Sequence, residues 1–184
     1  MGDFKETPSQ TAGPFVHIGL SPQMAGLETR GLGQTLGERM ITGDPEGEPI
    51  TLDIYVFDGD GAPVTDALIE IWQPGPDGEF GTMPGFENWG RQMTDFDTGL
   101  ARFETLKPGA GQNAAPHVLI WIAARGVNLS LTTRAYFEDE DNKADPVFKL
   151  AGQRAATMLA KRTNRGYRHD IFLQGENETV FIDA

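Results

Sequence analysis

After residue 50 the chain alternates between apolar and polar positions in short bursts, separated by glycine and proline. Residues 50–57, Ile-Thr-Leu-Asp-Ile-Tyr-Val-Phe, alternate cleanly and predict a strand. Asp58-Gly59-Asp60-Gly61 predicts the tight turn that ends it. Residues 67–73 are apolar on nearly every side, with Leu68, Ile69, Ile71 and Trp72 interrupted only by Glu70; they predict a strand buried on both faces. Pro74-Gly75-Pro76-Asp77-Gly78 continues neither strand nor helix, so the chain enters a loop that runs to Met93. That loop is expected to return over the sheet end and point Phe80 inward. Further strands are predicted over 100–106, 117–124, 129–137, 169–173 and 179–182, with a tight turn at 94–99. One helix is predicted over 153–162, where Ala, Leu, Met and Gln favour helix and Lys161, Arg162 and Arg165 suit its negative end.

Residues 1–49 carry many glycines and prolines and no sustained pattern, which predicts an irregular arm packed on another surface. Within it, Thr11-Ala12-Gly13-Pro14-Phe15 predicts a tight turn that presents an aromatic ring. The fold expected is therefore all-β. It is a β-sandwich of mixed short strands over 50–184, with the N-terminal arm at 1–49 and one short helix.

Composition narrows the function classes. The 184 residues are 39% hydrophobic and 23% charged, enough to bury a core in one domain. No apolar run approaches the roughly eighteen residues of a membrane span, and the N-terminus has no secretory pattern, so a soluble cytoplasmic protein is expected. The absence of cysteine removes disulfides, thiolate metal sites and cysteine nucleophiles together. A net charge of −12 argues against nucleic acid or an anionic membrane as partner. The acidic run Glu138-Asp139-Glu140-Asp141 reads as a solvated loop rather than a cation site.

Gly61-Ala62-Pro63-Val64-Thr65-Asp66-Ala67-Leu68-Ile69-Glu70-Ile71-Trp72-Gln73 resembles the intradiol ring-cleavage dioxygenases. Thr94-Asp95-x-x-x-Gly99, Phe103-x-Thr105-x-x-Pro108-Gly109 and Thr132-Thr133-x-x-Tyr136-Phe137 follow in that family's order, and the match covers roughly residues 10–184. The resemblance implies a β-sandwich with irregular arms. It also implies, in members that do the chemistry, a ferric ion held by two tyrosines and two histidines, hard anionic oxygens suiting that ion. The matching positions here are Phe80, Gly111, His117 and Leu119, so three of the four supply no ligand atom. The arginine expected three residues before the first histidine is Ala114. Tyr55, Tyr136 and Tyr167, the three tyrosines, stand where strands use aromatics. No cofactor is therefore expected in this chain, and His117 is expected to be a hydrogen-bonded strand residue in a vestigial pocket.

Within the family, the chain resembles iron-free α subunits that pair with a homologous iron-binding β subunit in a hetero-oligomer. The resemblance implies that Fe(III) in the partner cleaves protocatechuate at the interface. It also implies that this chain lends that pocket Arg134 and the turn residues Thr11, Gly13 and Pro14. A planar guanidinium suits the substrate carboxylate through paired hydrogen bonds. Glu70 is expected to be hydrogen-bonded across the sheet, and His17 and His169 to serve packing or surface roles. Two rival readings are a non-catalytic β-sandwich interaction module and a stand-alone enzyme using another metal.

Overall fold

The computed structural model describes residues 11–13, 15–23, 26–27 and 36–182. Eight strands form in chain order: β1 (Pro49–Phe57), β2 (Leu68–Trp72), β3 (Trp89–Met93), β4 (Leu100–Leu106), β5 (His117–Ala123), β6 (Leu131–Phe137), β7 (Leu159–Thr163) and β8 (Gly166–Phe172). Their order is β3-β2-β5-β6-β7-β8-β1-β4. The halves β3-β2-β5-β6 and β7-β8-β1-β4 face each other and join where Tyr136 lies beside Leu159 and Phe137 beside Ala160. Most pairs are antiparallel, whereas β1 runs parallel to β8 and β6 to β7. This is the mixed β-sandwich that the alternation predicts.

Period-2 patterning decides what the core contains. β1 buries Ile50, Leu52, Ile54 and Val56, and β5 buries Val118, Ile120 and Ile122 toward the same interior as Phe103 and Phe137. Gln73, fully buried just past β2, ties one half to the other. Its Nε2 donates to the Leu106 carbonyl at 2.7 Å and its Oε1 accepts from Thr105 Oγ1 at 2.7 Å. The loops after β2 and β4 meet backbone to backbone. A Cβ at Gly78 would collide with the Ala110 carbonyl, and one at Gly109 with the Pro76 carbonyl. Gly78 also has φ 81°, so that turn tolerates glycine alone without strain.

Several expectations are corrected. The loop from 74 to 93 contains a strand, β3, whose Arg91 faces Glu70 in register. The sequence Trp-Gly-Arg-Gln-Met of β3 lacks an alternating pattern because it covers an edge. The helix is not at 153–162: α2 spans Pro146–Ala151, a 3₁₀ segment spans Gly152–Met158, and Lys161 and Arg162 lie in β7. Asp145 caps α2 and Pro146 opens it, while pairing with β8 draws 159–163 into extended backbone against their local propensity. Residues 179–182 form no strand. They cross the seam with single bonds, Thr179 N–H to the Phe172 carbonyl and Ile182 N–H to the Thr132 carbonyl. In the N-terminal region a short helix, α1 (Phe15–Leu20), follows the turn, and Phe15 is exposed.

The acidic run is not merely solvated. Glu138 Oε1 accepts the Arg162 N–H at 2.6 Å, Asp139 Oδ2 takes Arg162 Nη1 and the Tyr167 hydroxyl at 2.8 Å each, and Glu140 pairs with Lys107 at 2.6 Å. Lys107 lies over the Phe137 and Tyr167 rings, so these acids latch β4, β6, β7 and β8 together. Among the described residues no helix is long and apolar enough to cross a membrane.

His169 is fully buried beside Ile54, and neither ring nitrogen has a hydrogen-bond partner of ordinary geometry. Burial pushes it down from its usual 6.5 to about 4. The unfolded chain therefore binds a proton below pH 6.5 that the folded chain refuses until about pH 4. Stability is expected to fall as pH drops through that window, by up to about 3 kcal/mol. His117, also lowered by burial, acts in the same direction. His169→Gln is expected to flatten the dependence of the urea midpoint between pH 7 and pH 4.5; an unchanged slope would assign the acid sensitivity elsewhere.

Candidate functional site

Cross-strand register places the site on the outer face of the β3-β2-β5-β6 half. Trp89, Trp72, Leu119 and Arg134 form one rung of paired residues, and Arg91, Glu70, Trp121 and Thr132 form the next. All three tryptophans of the chain thus share one face. Glu70 accepts from Arg91 Nε at 2.7 Å, the cross-sheet bond expected of it, and from the Trp89 indole at 3.4 Å. Trp72 is 52% exposed, so β2 is not buried on both faces as the apolar run suggests. A run apolar on all sides fits a covered face as well as an inner one, and the sequence cannot say which chain does the covering.

Past this rung, His117 pairs in register with Tyr136, and the two rings lie 5.7 Å apart. Phe80 approaches His117 with ring centroids at 6.5 Å, yet it remains 51% exposed instead of turning inward. The Gly75 N–H donates to the Glu79 carbonyl and closes the preceding loop, which delivers Phe80 to the outer face. Leu119 sits two residues along the same face from His117, and Gly111 lies in the loop before β5, bridged to Ala114. Three of the four expected ligand positions thus converge on one end of the face, and Gly111 stands at its margin.

The donor set does not fit a ferric ion. Phe80, Leu119 and Gly111 offer no side-chain donor. His117 Nδ1–H donates to the Ala115 carbonyl at 2.8 Å, and burial lowers its pKa with a further push from the Arg134 charge, so the ring is neutral. Among the described residues no three His, Asp or Glu side chains are grouped to hold a metal.

What occupies the site instead is a buried hydrogen-bonded cluster. Arg134 Nη1 donates to the Tyr136 hydroxyl at 3.1 Å, and that hydroxyl donates to Asp145 Oδ1 at 2.9 Å. Asp145 is 1% exposed and accepts from the backbone N–H groups of Ala115, Val147 and Phe148 at 2.8–3.1 Å. Burial alone would raise this carboxyl, but the donors from Phe148, Tyr136, Ala115 and Val147 outweigh it and hold its pKa below the usual value. Burial pushes the Tyr136 phenol well up, so it stays protonated. Tyr136 also meets Phe148 edge-on at 5.1 Å, which places α2 as a roof over this end of the sheet. Sequence reading treated Tyr136 as packing and passed over Asp145; the Asp-Pro pair opening a helix was the available signal.

Thr11 Oγ1 accepts the Gly126 N–H at 2.6 Å, at the far end of the β5–β6 hairpin from His117. Gly13 is described, whereas Pro14 lies outside the described residues. No hydrogen bond or ion pair among the described residues joins Thr11 or Gly13 to Arg134. Among the described residues, those positions are not joined into one pocket.

Comparison with known proteins agrees with this geometry. Residues 27–175 match the family model described as dioxygenase. The chain is 45% identical to the protocatechuate 3,4-dioxygenase alpha chain of Pseudomonas putida, covering 97% of this chain and 96% of that one. It is 31% identical to the protocatechuate 3,4-dioxygenase beta chain of Burkholderia cepacia, over 74% of this chain and 69% of that one. Among solved structures, the intradiol ring-cleavage dioxygenase from Tetranychus urticae superposes with a TM-score of 0.58 at 18% identity, covering 74% of this chain and 86% of that one. A shared sandwich and a full-length match lead to one conclusion: the chain belongs to the intradiol ring-cleavage dioxygenase family.

Proposed function

We propose that this chain is the α subunit of a protocatechuate 3,4-dioxygenase, with no iron of its own, acting in the cytoplasm beside a homologous β subunit. The observation that carries the reading is the full-length likeness to an alpha chain, joined to donor-free residues at Phe80, Leu119 and Gly111. In the partner, Fe(III) supplies the activation that lets dioxygen cleave protocatechuate to 3-carboxy-cis,cis-muconate. This chain's residues bind and orient. In this reading Arg134 faces the substrate carboxylate with its planar fork, and the turn at Thr11, Gly13 and Pro14 walls the partner's pocket. Residues 1–49 serve as the arm that lies on the partner, and 50–184 as the sandwich that carries the interface.

Support for a partner comes from the outer face itself. Trp72 and Phe80 are both about half exposed, and Trp89, Trp121 and Leu119 are only partly covered. Among the described residues the cross-strand ion pair on that face, Glu70 with Arg91, is neutral in itself. A surface of this kind suits a permanent interface, which typically buries on the order of 2,000 Å² or more. Expressed alone, the chain is expected to self-associate or precipitate, and co-expressed with a β homologue it is expected to leave the column as a ferric, red-brown complex. A sharp monomer with cooperative unfolding would count against the reading. The isolated chain is also expected to lack a tyrosinate-to-iron visible band, and Leu119→His by itself to restore none.

Arg134 provides the second test. In the intact complex, Arg134→Ala is expected to lower kcat/KM for protocatechuate roughly tenfold to a hundredfold, the loss of a charge-assisted pair worth about 1.5–3 kcal/mol. Iron content stays unchanged. Lysine rescues only in part, because a point charge cannot reproduce the fork. Catechol, which lacks the carboxylate, is expected to lose little; equal losses on both substrates would remove Arg134 from substrate binding.

A further inference from the structure

We infer that Tyr136 and Asp145 are positioning residues for Arg134, fixing which of its N–H groups are offered to the substrate carboxylate; this rests on the reading of Arg134 proposed above. The guanidinium is held at one corner. Nη1 donates to the Tyr136 hydroxyl at 3.1 Å and stands 3.8 Å from Asp145 Oδ2. Nε is closed off from solvent without a partner, and the side chain as a whole is 21% exposed. A ligand therefore cannot use the Nε edge. It must approach end-on, toward Nη2 and the remaining N–H of Nη1.

The clamp is packed and hydrogen-bonded on every side. Tyr136 is fully buried between Phe148 at 5.1 Å and His117 at 5.7 Å. Asp145 is anchored by three backbone N–H groups, from Ala115 ahead of β5 and from Val147 and Phe148 in α2. An arginine side chain left free must lose much of its rotamer freedom when it grips a carboxylate. Ordering it beforehand removes that cost from the binding step.

Separation matters as much as rigidity. A bidentate Arg–Asp pair at 2.7–2.9 Å would consume the fork. At 3.8 Å, with the phenol interposed, Asp145 balances the charge of Arg134 while leaving its end open. Asp145 thus keeps a cation beside an otherwise apolar surface without quenching it as a ligand.

The experiment uses the intact complex and reads two substrates. Tyr136→Phe removes one oxygen and keeps the ring between Phe148 and His117. It is expected to raise the protocatechuate Kd, measured without dioxygen, and the KM by roughly threefold to tenfold, with kcat little altered. Catechol is expected to change much less. Combined with Arg134→Ala, the phenol change is expected to add almost nothing for protocatechuate, since the group it positions is gone. Equal weakening of both substrates, an unchanged protocatechuate Kd, or full additivity in the double variant would each overturn the inference while leaving Arg134 as the carboxylate contact. If Arg134→Ala itself fails to separate the substrates, the underlying reading falls, and this inference with it. Should Tyr136→Phe not assemble, Asp145→Asn is read by the same comparison, and an unchanged protocatechuate Kd there also overturns it.

Discussion

One buried carboxylate, Asp145, holds together the end of the sandwich on which the site is built. Four donors converge on it: the Tyr136 hydroxyl and the N–H groups of Ala115, Val147 and Phe148. Through them it caps α2, fixes the entrance to β5 and sets Tyr136 against His117. A carboxylate this deep is tolerable only because every bond is made and a guanidinium stands nearby. The second small core, Ala115, Tyr136 and Met158 under Val147 and Phe148, is packed around the same anchor.

That anchor cross-links this end of the sheet through side-chain and backbone hydrogen bonds. A ferric site joins loops and strands through strong bonds to one cation. Phe80, Leu119 and Gly111 offer no side-chain donor for such a bond, and the His117 imidazole is neutral and hydrogen-bonded to the Ala115 carbonyl. The linkage at this end comes from a protein cluster in which Arg134 is the cation, Asp145 the anion and Tyr136 the bridge. The exposed side of the same end is apolar, with Trp72, Phe80 and Leu119 in a row beside the arginine. A charge on such a border is oriented by what lies beneath it and kept available by what does not cover it.

The acids of this chain do more than set its net charge of −12. Many of the acids are engaged with cations of the chain: Glu70 with Arg91, Asp53 with Arg102, Asp139 with Arg162 and Lys107, Glu140 with Lys107. Lys107 is held protonated because its acidic partners outweigh its burial. The acidic run therefore serves cohesion at the β6–β7 seam, where the parallel strand contact between the two halves is short.

By itself the sequence determined the sandwich, since the alternation of Ile50, Leu52, Ile54 and Val56, or of Val118, Ile120 and Ile122, permits one inward face and hence one register. It also determined that Phe80, Gly111 and Leu119 cannot ligate iron, because donor atoms are a property of residue type alone. Tertiary structure decided the rest. It made β3 from a patternless edge segment and drew 159–163 out of a helical composition into β7, because a strand is completed by its neighbours. It turned Phe80 and Trp72 outward, since an apolar run does not say which side is covered. It brought Asp145 to Tyr136 and Arg134 as well, a cluster whose members lie on different elements. Local propensity fixes elements through near neighbours in the chain; a buried polar cluster exists only once distant donors and acceptors have been brought together and dehydrated.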